Sequence, residues 1–467
     1  MDKDRFYDLV SETVSELNSI MKVSLKEQVK DLAKSALGRS VRTKDPMFWP
    51  AGMLMLGLVQ ARELILGGLP EADDNDEAVC GKSLSGKHDT SGSGNNIGSS
   101  GFFGENDKAL KLISEIDSAV KKHVRLWKEG YGERIDYIDD ALAGAALIKL
   151  YEQKTLDDEL KDLCRQAADK IYAYLIKAPR ERSGAIAYNA ERSGSNVFAD
   201  GIGQTSVFLS LYGSVFGVPK ALELAGEELA AFKRYGCDER SRLPYHGYAL
   251  SDRKRDTHIQ NDMSVNKQTG DDGQKTDPGF EVVKKGVLSW GRAAGWLIMG
   301  LSEYVRCSTE RKHQSMEGVP SEKLPGSLDN ELKLWYNNLS ETLVSYQRRN
   351  GGFAWQIQAV EGPLDTSATG MITYGLLNGI RKNFEDNPSE FLNNVGCARP
   401  DSSFDYLQPS IDIMEKSIIA GKVGSALSSC DDFGVHYQTY GHYPWGQGAV
   451  LAALSSYYCS KESAAGD

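Results

Sequence analysis

Asn196-Val-Phe-Ala-Asp-Gly-Ile-Gly-Gln-Thr-Ser-Val-Phe-Leu209 sets a carboxylate, Asp200, at the head of a glycine-containing apolar run that reads as a helix. A side chain there sits in the first turn, where free backbone N–H groups and the helix dipole favour an anion. The position suits a catalytic acid, and it suits an ordinary N-cap equally well. The run is apolar on nearly every face, so it belongs inside a protein rather than on its surface.

Working outward, the chain alternates between two kinds of helix. Small, apolar helices are expected at 47–58, 139–151, 201–213, 291–304, 366–381 and 446–458. Between them lie charged, amphipathic ones at 4–37, 107–124, 156–178, 218–234, 328–349 and 405–420. Fully apolar helices belong inside and amphipathic ones outside, so the chain reads as six outer–inner hairpins. Closing them into a ring, an all-α (α/α)6 barrel, buries every inner helix and leaves no end repeat to cap. An open solenoid is the alternative, disfavoured because neither end of the chain is unusually polar. Glycines recur in the inner helices, for example Gly57, Gly300 and Gly375, and allow close approach around a narrow axis. Strands are expected only as short ribbons, at Ala185-Ile-Ala-Tyr188 and Gly352-Phe-Ala-Trp-Gln-Ile357.

Residues 1–467 are thus expected to form one (α/α)6 domain carrying two insertions. The first, 68–106, is rich in Gly, Ser, Asn and Asp and lacks core-forming power. The second, 252–286, lies between His246 and Trp290.

Hydrophobic residues at 40% and charged residues at 25% describe an ordinary globular protein. No run is long enough to cross a membrane, and the charged start lacks a signal core, which leads us to expect a cytoplasmic protein, monomeric or homodimeric. The seven cysteines are scattered and form no CxxC pair, and the seven histidines form no metal-like cluster; neither a metal nor a cofactor is expected. A net charge of −11 argues against nucleic acid as partner. An anionic ligand would need a local positive group.

Ahead of the six apolar helices stand Phe48-Trp49, then Asp136 with Asp139-Asp140, Asp200, Ser289-Trp290-Gly291-Arg292, Asp365-Thr366-Ser367, and His442-Tyr-Pro-Trp445. In a ring of parallel inner helices all these residues open on one rim. Each has an ordinary use. Trp49, Trp290, Trp296 and Trp445 plug cores, Asp365-Thr366-Ser367 caps a helix, Arg292 makes internal ion pairs, and His246 turns a loop. Together they suit a sugar site, with tryptophans to stack on sugar rings, a guanidinium to clamp a carboxylate, and paired carboxylates for acid–base work.

The motifs Trp49-Pro-Ala-Gly52, Ile138-Asp-Asp-Ala-Leu-Ala-Gly144, Phe198-Ala-Asp200, Tyr245-His-Gly247, Trp290-Gly-Arg-Ala-Ala-Gly-Trp296, Thr366-Ser-Ala-Thr-Gly-Met371 and Trp445-Gly-Gln-Gly448 resemble, in this order, glycoside hydrolase family 105, the unsaturated rhamnogalacturonyl hydrolases. More distantly they resemble the unsaturated glucuronyl hydrolases of family 88, which act on glycosaminoglycan fragments. The resemblance implies an (α/α)6 barrel that hydrates the vinyl ether of a 4,5-unsaturated uronic acid left by a polysaccharide lyase. It implies that Asp200 protonates C4 and activates the water adding at C5, and that Asp139, or Asp140 as its alternative, holds the substrate or tunes Asp200. It further implies that His246 orients the ring, Arg292 meets the carboxylate, and Trp49 and Trp296 flank it. Trp290 and Trp445 complete the substrate-binding rim. A carboxyl that protonates carbon should lie in a partly desolvated cleft with an acidic neighbour. A saturated-uronide glycosidase on the same barrel and a non-catalytic glycan- or protein-binding scaffold are the rival readings.

Overall fold

The computed structural model describes residues 1–22, 45–69, 100–188, 195–252, 280–316, 326–383, 405–429 and 438–466. In chain order the helices are α1 (Lys3–Ser19), α2 (Trp49–Gly67), α3 (Ser100–Arg125), α4 (Ala141–Glu152), α5 (Asp158–Leu175), α6 (Ala199–Val215), α7 (Pro219–Gly236), α8 (Gly291–Met316), α9 (Gly326–Ser345), α10 (Thr366–Asn383), α11 (Gln408–Lys416) and α12 (Pro444–Gly466). The even-numbered helices are the apolar ones. In α2 every residue from Ala51 to Ile65 is buried except Glu63. The odd-numbered ones bury a single stripe; in α5 it is Leu160, Leu163, Cys164, Ala167, Ala168, Ile171 and Leu175, at helical spacing.

Each even-numbered helix packs on the next, and α12 packs back on α2, so the inner ring is closed: an (α/α)6 barrel. The helices are in contact at the level of their second turns. A Cβ on Gly52 would come within 2.7 Å of Ala143 N, one on Gly203 within 2.4 Å of Trp296 O, and one on Gly448 within 2.2 Å of Met53 O. No side chain fits in those gaps. The inner helices therefore run parallel with their first turns level, and all six N-termini open on one rim.

At the opposite end, α4, α8 and α10 are tied by Glu303, which lies 2.9 Å from Lys149 Nζ and accepts from Arg306 Nε (2.7 Å) and Asn378 Nδ2 (3.1 Å). A buried carboxylate is tolerated when cations and donors surround it in this way.

The β-structure is all on loops. β1 (Val197–Phe198), β2 (Tyr245–Asp252) and β3 (Phe280–Leu288) form an antiparallel sheet in the order β1-β2-β3. Two short hairpins follow α11, pairing β4 (Ile418–Ile419) with β5 (Lys422–Val423) and β6 (Ala426–Leu427) with β7 (Tyr440–Gly441). The ribbons expected at 185–188 and 352–357 are reduced to isolated bridges, Arg180 with Ile186, Trp290 with Gln356 and Ala354 with Leu364. The longest strands lie at 245–252 and 280–288, where their partners stand too far apart along the chain for local pattern to pair them. β3 takes up the end of the 252–286 stretch and α3 begins within 68–106; residues 70–99 and 253–279 lie outside the described residues.

Candidate active site

Asp200 is the second residue of α6. Phe198, in extended conformation, occupies the N-cap position, so the Asp200 carboxylate is not spent on capping. Its Oδ2 lies 2.7 Å from His246 Nε2, and its side chain is 20% exposed. His246 was read as a loop residue, yet it stands in strand β2, where the register with β3 shifts between Tyr245 and Gly247. Two glycines make room for that irregularity. A Cβ on Gly247 would meet Val197 O at 2.3 Å, and one on Gly286, whose φ is +67°, would meet the His246 Cβ at 2.6 Å. Phe198 and Trp290 then hold the imidazole, with ring centroids at 5.0 and 4.3 Å.

Asp139 lies in a 3-10 turn, Ile138–Asp140, that feeds α4. Its Oδ2 accepts a 2.6 Å hydrogen bond from the Tyr188 hydroxyl and its Oδ1 a 3.3 Å bond from Gln204 Nε2. Gln204 is one helical turn beyond Asp200 on α6. The Tyr188 ring sits edge-on against Phe198, 5.3 Å away, and Phe198 in turn touches His246. Asp139 and Asp200 are thereby linked through one set of contacts, by way of Tyr188, Phe198 and His246.

Trp49, half-buried, packs against Trp445 at 5.0 Å and edge-on against the buried Trp296 at 6.1 Å. Tyr443 stacks on Trp445 at 4.8 Å and 5°. These rings make an aromatic floor beneath the rim, with Trp296 at its base rather than at its surface.

Two expected contacts lie elsewhere. Arg292 is only 2% exposed, and its guanidinium donates to Leu427 O (2.9 Å) and Ser428 O (3.0 Å) while lying over Trp290 and Trp445. Its fork matches the two successive carbonyls of the β6 end, so it pins that loop to the rim instead of standing open as a clamp. Asp140 has no exposed surface and accepts from Asp136 N at 3.3 Å; it points into the interior, not the mouth. Burial, with Asp45 and Asp139 nearby, holds its carboxyl well above the usual carboxylate range. Asp365 does cap α10: its Oδ1 accepts from Ser367 N (3.0 Å) and from Leu427 N (3.1 Å).

Tyr188, Gln204 and Asp45 were not singled out from the sequence. Gln204 carried a usable signal, four residues after Asp200 on the same helix face. Tyr188 and Asp45 carried none, because each reaches the site from an irregular segment. Among the described residues no group of three His, Cys, Asp or Glu side chains is placed to hold a metal ion, and no helix is long and apolar enough to cross a membrane.

Residues 270–461 match the family model described as Glycosyl Hydrolase Family 88. Among solved structures, a possible member of the GH105 family from Klebsiella pneumoniae is 12% identical, with 99% of this chain and 94% of that one covered and a TM-score of 0.61. A family 105 glycoside hydrolase from C. acetobutylicum is 16% identical over 92% of this chain and 99% of its own, with a TM-score of 0.53. An unsaturated glucuronyl hydrolase responsible for the degradation of glycosaminoglycan, from Bacillus sp. GL1, is 12% identical over 89% and 87%, with a TM-score of 0.52. No curated protein matches in sequence. The motif-based resemblance to families 105 and 88 is borne out.

Proposed function

We propose that this relative of glycoside hydrolase families 88 and 105 is an unsaturated uronyl hydrolase. It would release a 4,5-unsaturated uronic acid from the non-reducing end of lyase-generated, rhamnogalacturonan-type oligosaccharides. The observation that carries the reading is the Asp200 carboxylate, 20% exposed and hydrogen-bonded to His246 through one oxygen, together with a second, internally held carboxylate, Asp139, whose partner Gln204 stands one turn beyond Asp200. The preference for pectic fragments over glycosaminoglycan ones rests on the order and spelling of the motifs, which resemble family 105 more than family 88.

In this mechanism His246 fixes Asp200 Oδ2 and leaves Oδ1 for the substrate. Asp200 gives its proton to C4, and positive charge develops at C5 and the ring oxygen. A water adds at C5 and returns a proton to Asp200, and the hemiketal so formed opens to release the remaining sugar. Asp139, held by the Tyr188 and Gln204 donors, stabilises the cationic transition state. The sugar ring stacks on Trp49 and the Trp445–Tyr443 pair. Arg292 contributes by holding the Leu427–Ser428 segment against the rim and by placing a positive charge near the substrate carboxylate. We read the whole chain as one catalytic domain, in which β2 and β3, the described ends of the 252–286 stretch, pair beside His246.

The test is a screen of lyase-generated unsaturated disaccharides, followed by loss of the ultraviolet absorbance of the conjugated enol carboxylate. Asp200→Asn is expected to lower kcat by about 10²- to 10⁴-fold, the usual worth of a general acid, with fold and binding kept. Full activity in that variant, or cleavage of saturated uronides with the chromophore untouched, refutes the proposal.

A further inference from the structure

Behind Asp139 lies a second pair of carboxyls with no exposed place in the mouth. Asp140 follows Asp139 in the same turn, and Asp45, 9% exposed, lies on the segment that leads into Trp49. Each accepts from the backbone, and for Asp140 the Tyr137 N–H adds to that of Asp136. Asp45 Oδ1 accepts from Met47 N at 2.9 Å, and Asp140 Oδ2 from Asp136 N. The remaining oxygens, Asp45 Oδ2 and Asp140 Oδ1, are buried without any N–H or O–H donor among the described residues. The two carboxyls are within hydrogen-bonding reach of each other.

Two carboxylates cannot both stay ionised at that separation in a dry site. The groups around them offer little relief. Asp136 and Arg134 neutralise each other at 2.9 Å, the Tyr131 hydroxyl is spent on Asp136, Asp139 adds a negative charge, and His123 Nε2 is held at 2.5 Å by Pro46 O. Burial holds His123 below its ordinary value, so it is neutral. The missing donor is a proton on one carboxyl, which turns repulsion into a charge-assisted O–H···O⁻ bond.

We propose that Asp45 and Asp140 share one proton and that this bond positions Asp139 against Trp49, by tying the turn that carries the carboxylate to the segment that carries the ring. The proposal deepens the hydratase reading and rests on it. When the pair loses its proton, a second negative charge appears beside Asp139 and the two segments are pushed apart. Burial raises both carboxyls above the ordinary range, Asp140 the more. A raised carboxyl stabilises the fold at acidic pH, and that stability is lost as pH rises through the raised value.

The experiment uses Asp45→Asn and Asp140→Asn, in which the amide donates to the remaining carboxylate at every pH. Wild-type Tm is expected to fall on going from acidic to alkaline pH. In both variants the slope flattens by about half or more, and the alkaline limb of kcat/KM moves up by about one pH unit or more. Asp140→Ala, which strands Asp45, is expected to lower Tm throughout. Wild-type slopes in both Asn variants overturn the shared proton. Flattened slopes with an unmoved limb overturn the positioning role. A wild type inactive on every unsaturated uronide sinks the hydratase reading instead, and the Tm slopes still decide whether the proton is shared. If neither Asn variant folds, infrared difference spectra of the Glu228→Gln protein serve, since that change removes the buried carboxyl raised to about 7 and the absence of a protonated-carboxyl band at neutral pH then overturns the pair.

Discussion

Replacing Glu228 by Gln is expected to stabilise the protein, and only at neutral to alkaline pH. Glu228 is a fully buried residue of α7. It accepts from the Thr205 hydroxyl on α6 (2.7 Å) and from Ile186 N (3.2 Å), with Arg180 Nη1 3.7 Å away. Burial pushes its carboxyl up to about 7 against the lowering effects of Thr205, Arg180 and Ile186. Its folded value thus lies above its unfolded one. The protein enjoys that contribution fully at acidic pH and loses it as pH rises through about 7. A displacement from 4.5 to about 7 corresponds to roughly 3 kcal/mol at about 1.4 kcal/mol per unit. With an unfolding entropy of roughly 1 kcal/mol/K for a chain of this length, that is about 3 °C in Tm. The glutamine of Glu228→Gln can keep the network: its amide donates to Thr205 Oγ1, whose hydroxyl turns to Gly201 O, 2.8 Å away, and its carbonyl still accepts from Ile186 N. Calorimetric Tm measured across pH should give coincident wild-type and variant curves near about pH 5 and a variant advantage of about 3 °C near about pH 9. The difference between the two proteins cancels the contribution of Asp45 and Asp140. Parallel curves, or a variant less stable at alkaline pH, refute the reasoning. The site is linked to function because Ile186 belongs to the segment that carries Tyr188.

Tyr188→Phe removes the 2.6 Å donor to Asp139. Losing a hydrogen bond to a charged group costs about 1.5–3 kcal/mol, so kcat/KM should drop about 10- to 100-fold in steady-state assays; an unaltered value would remove Asp139 from the chemistry. Arg292→Ala frees the Leu427–Ser428 carbonyls and removes the local cation. It should raise KM for the anionic substrate about tenfold with a smaller change in kcat, and Arg292→Lys should restore little because an ammonium cannot span two carbonyls. An unchanged KM in Arg292→Ala would end its role in substrate binding.

Much of this site was readable one helix at a time. Asp200 and Asp139 stand at the heads of apolar helices, and once those helices are placed in a parallel ring their first turns must share a rim. The direction of a side chain within a turn was not readable. Asp139 and Asp140 are adjacent in a 3-10 turn, and a rotation of about 120° sends one to Tyr188 and Gln204 and the other to Asp45. Arg292 showed a charge in the right place, but its partners are backbone carbonyls 135 and 136 residues further on, and a carbonyl has no sequence signature. His246 showed its residue type, whereas its aim depends on a register shift set by Gly286 in a strand about forty residues away.

Alternation of apolar and amphipathic helices, with small residues where neighbours meet, determined the barrel, because burial is a property of composition and periodicity that each segment carries by itself. Tertiary structure alone decided which rim groups remain open to a substrate. That outcome depends on hydrogen bonds to backbone atoms and on carboxyls meeting across long stretches of chain, and neither leaves a trace in local residue order.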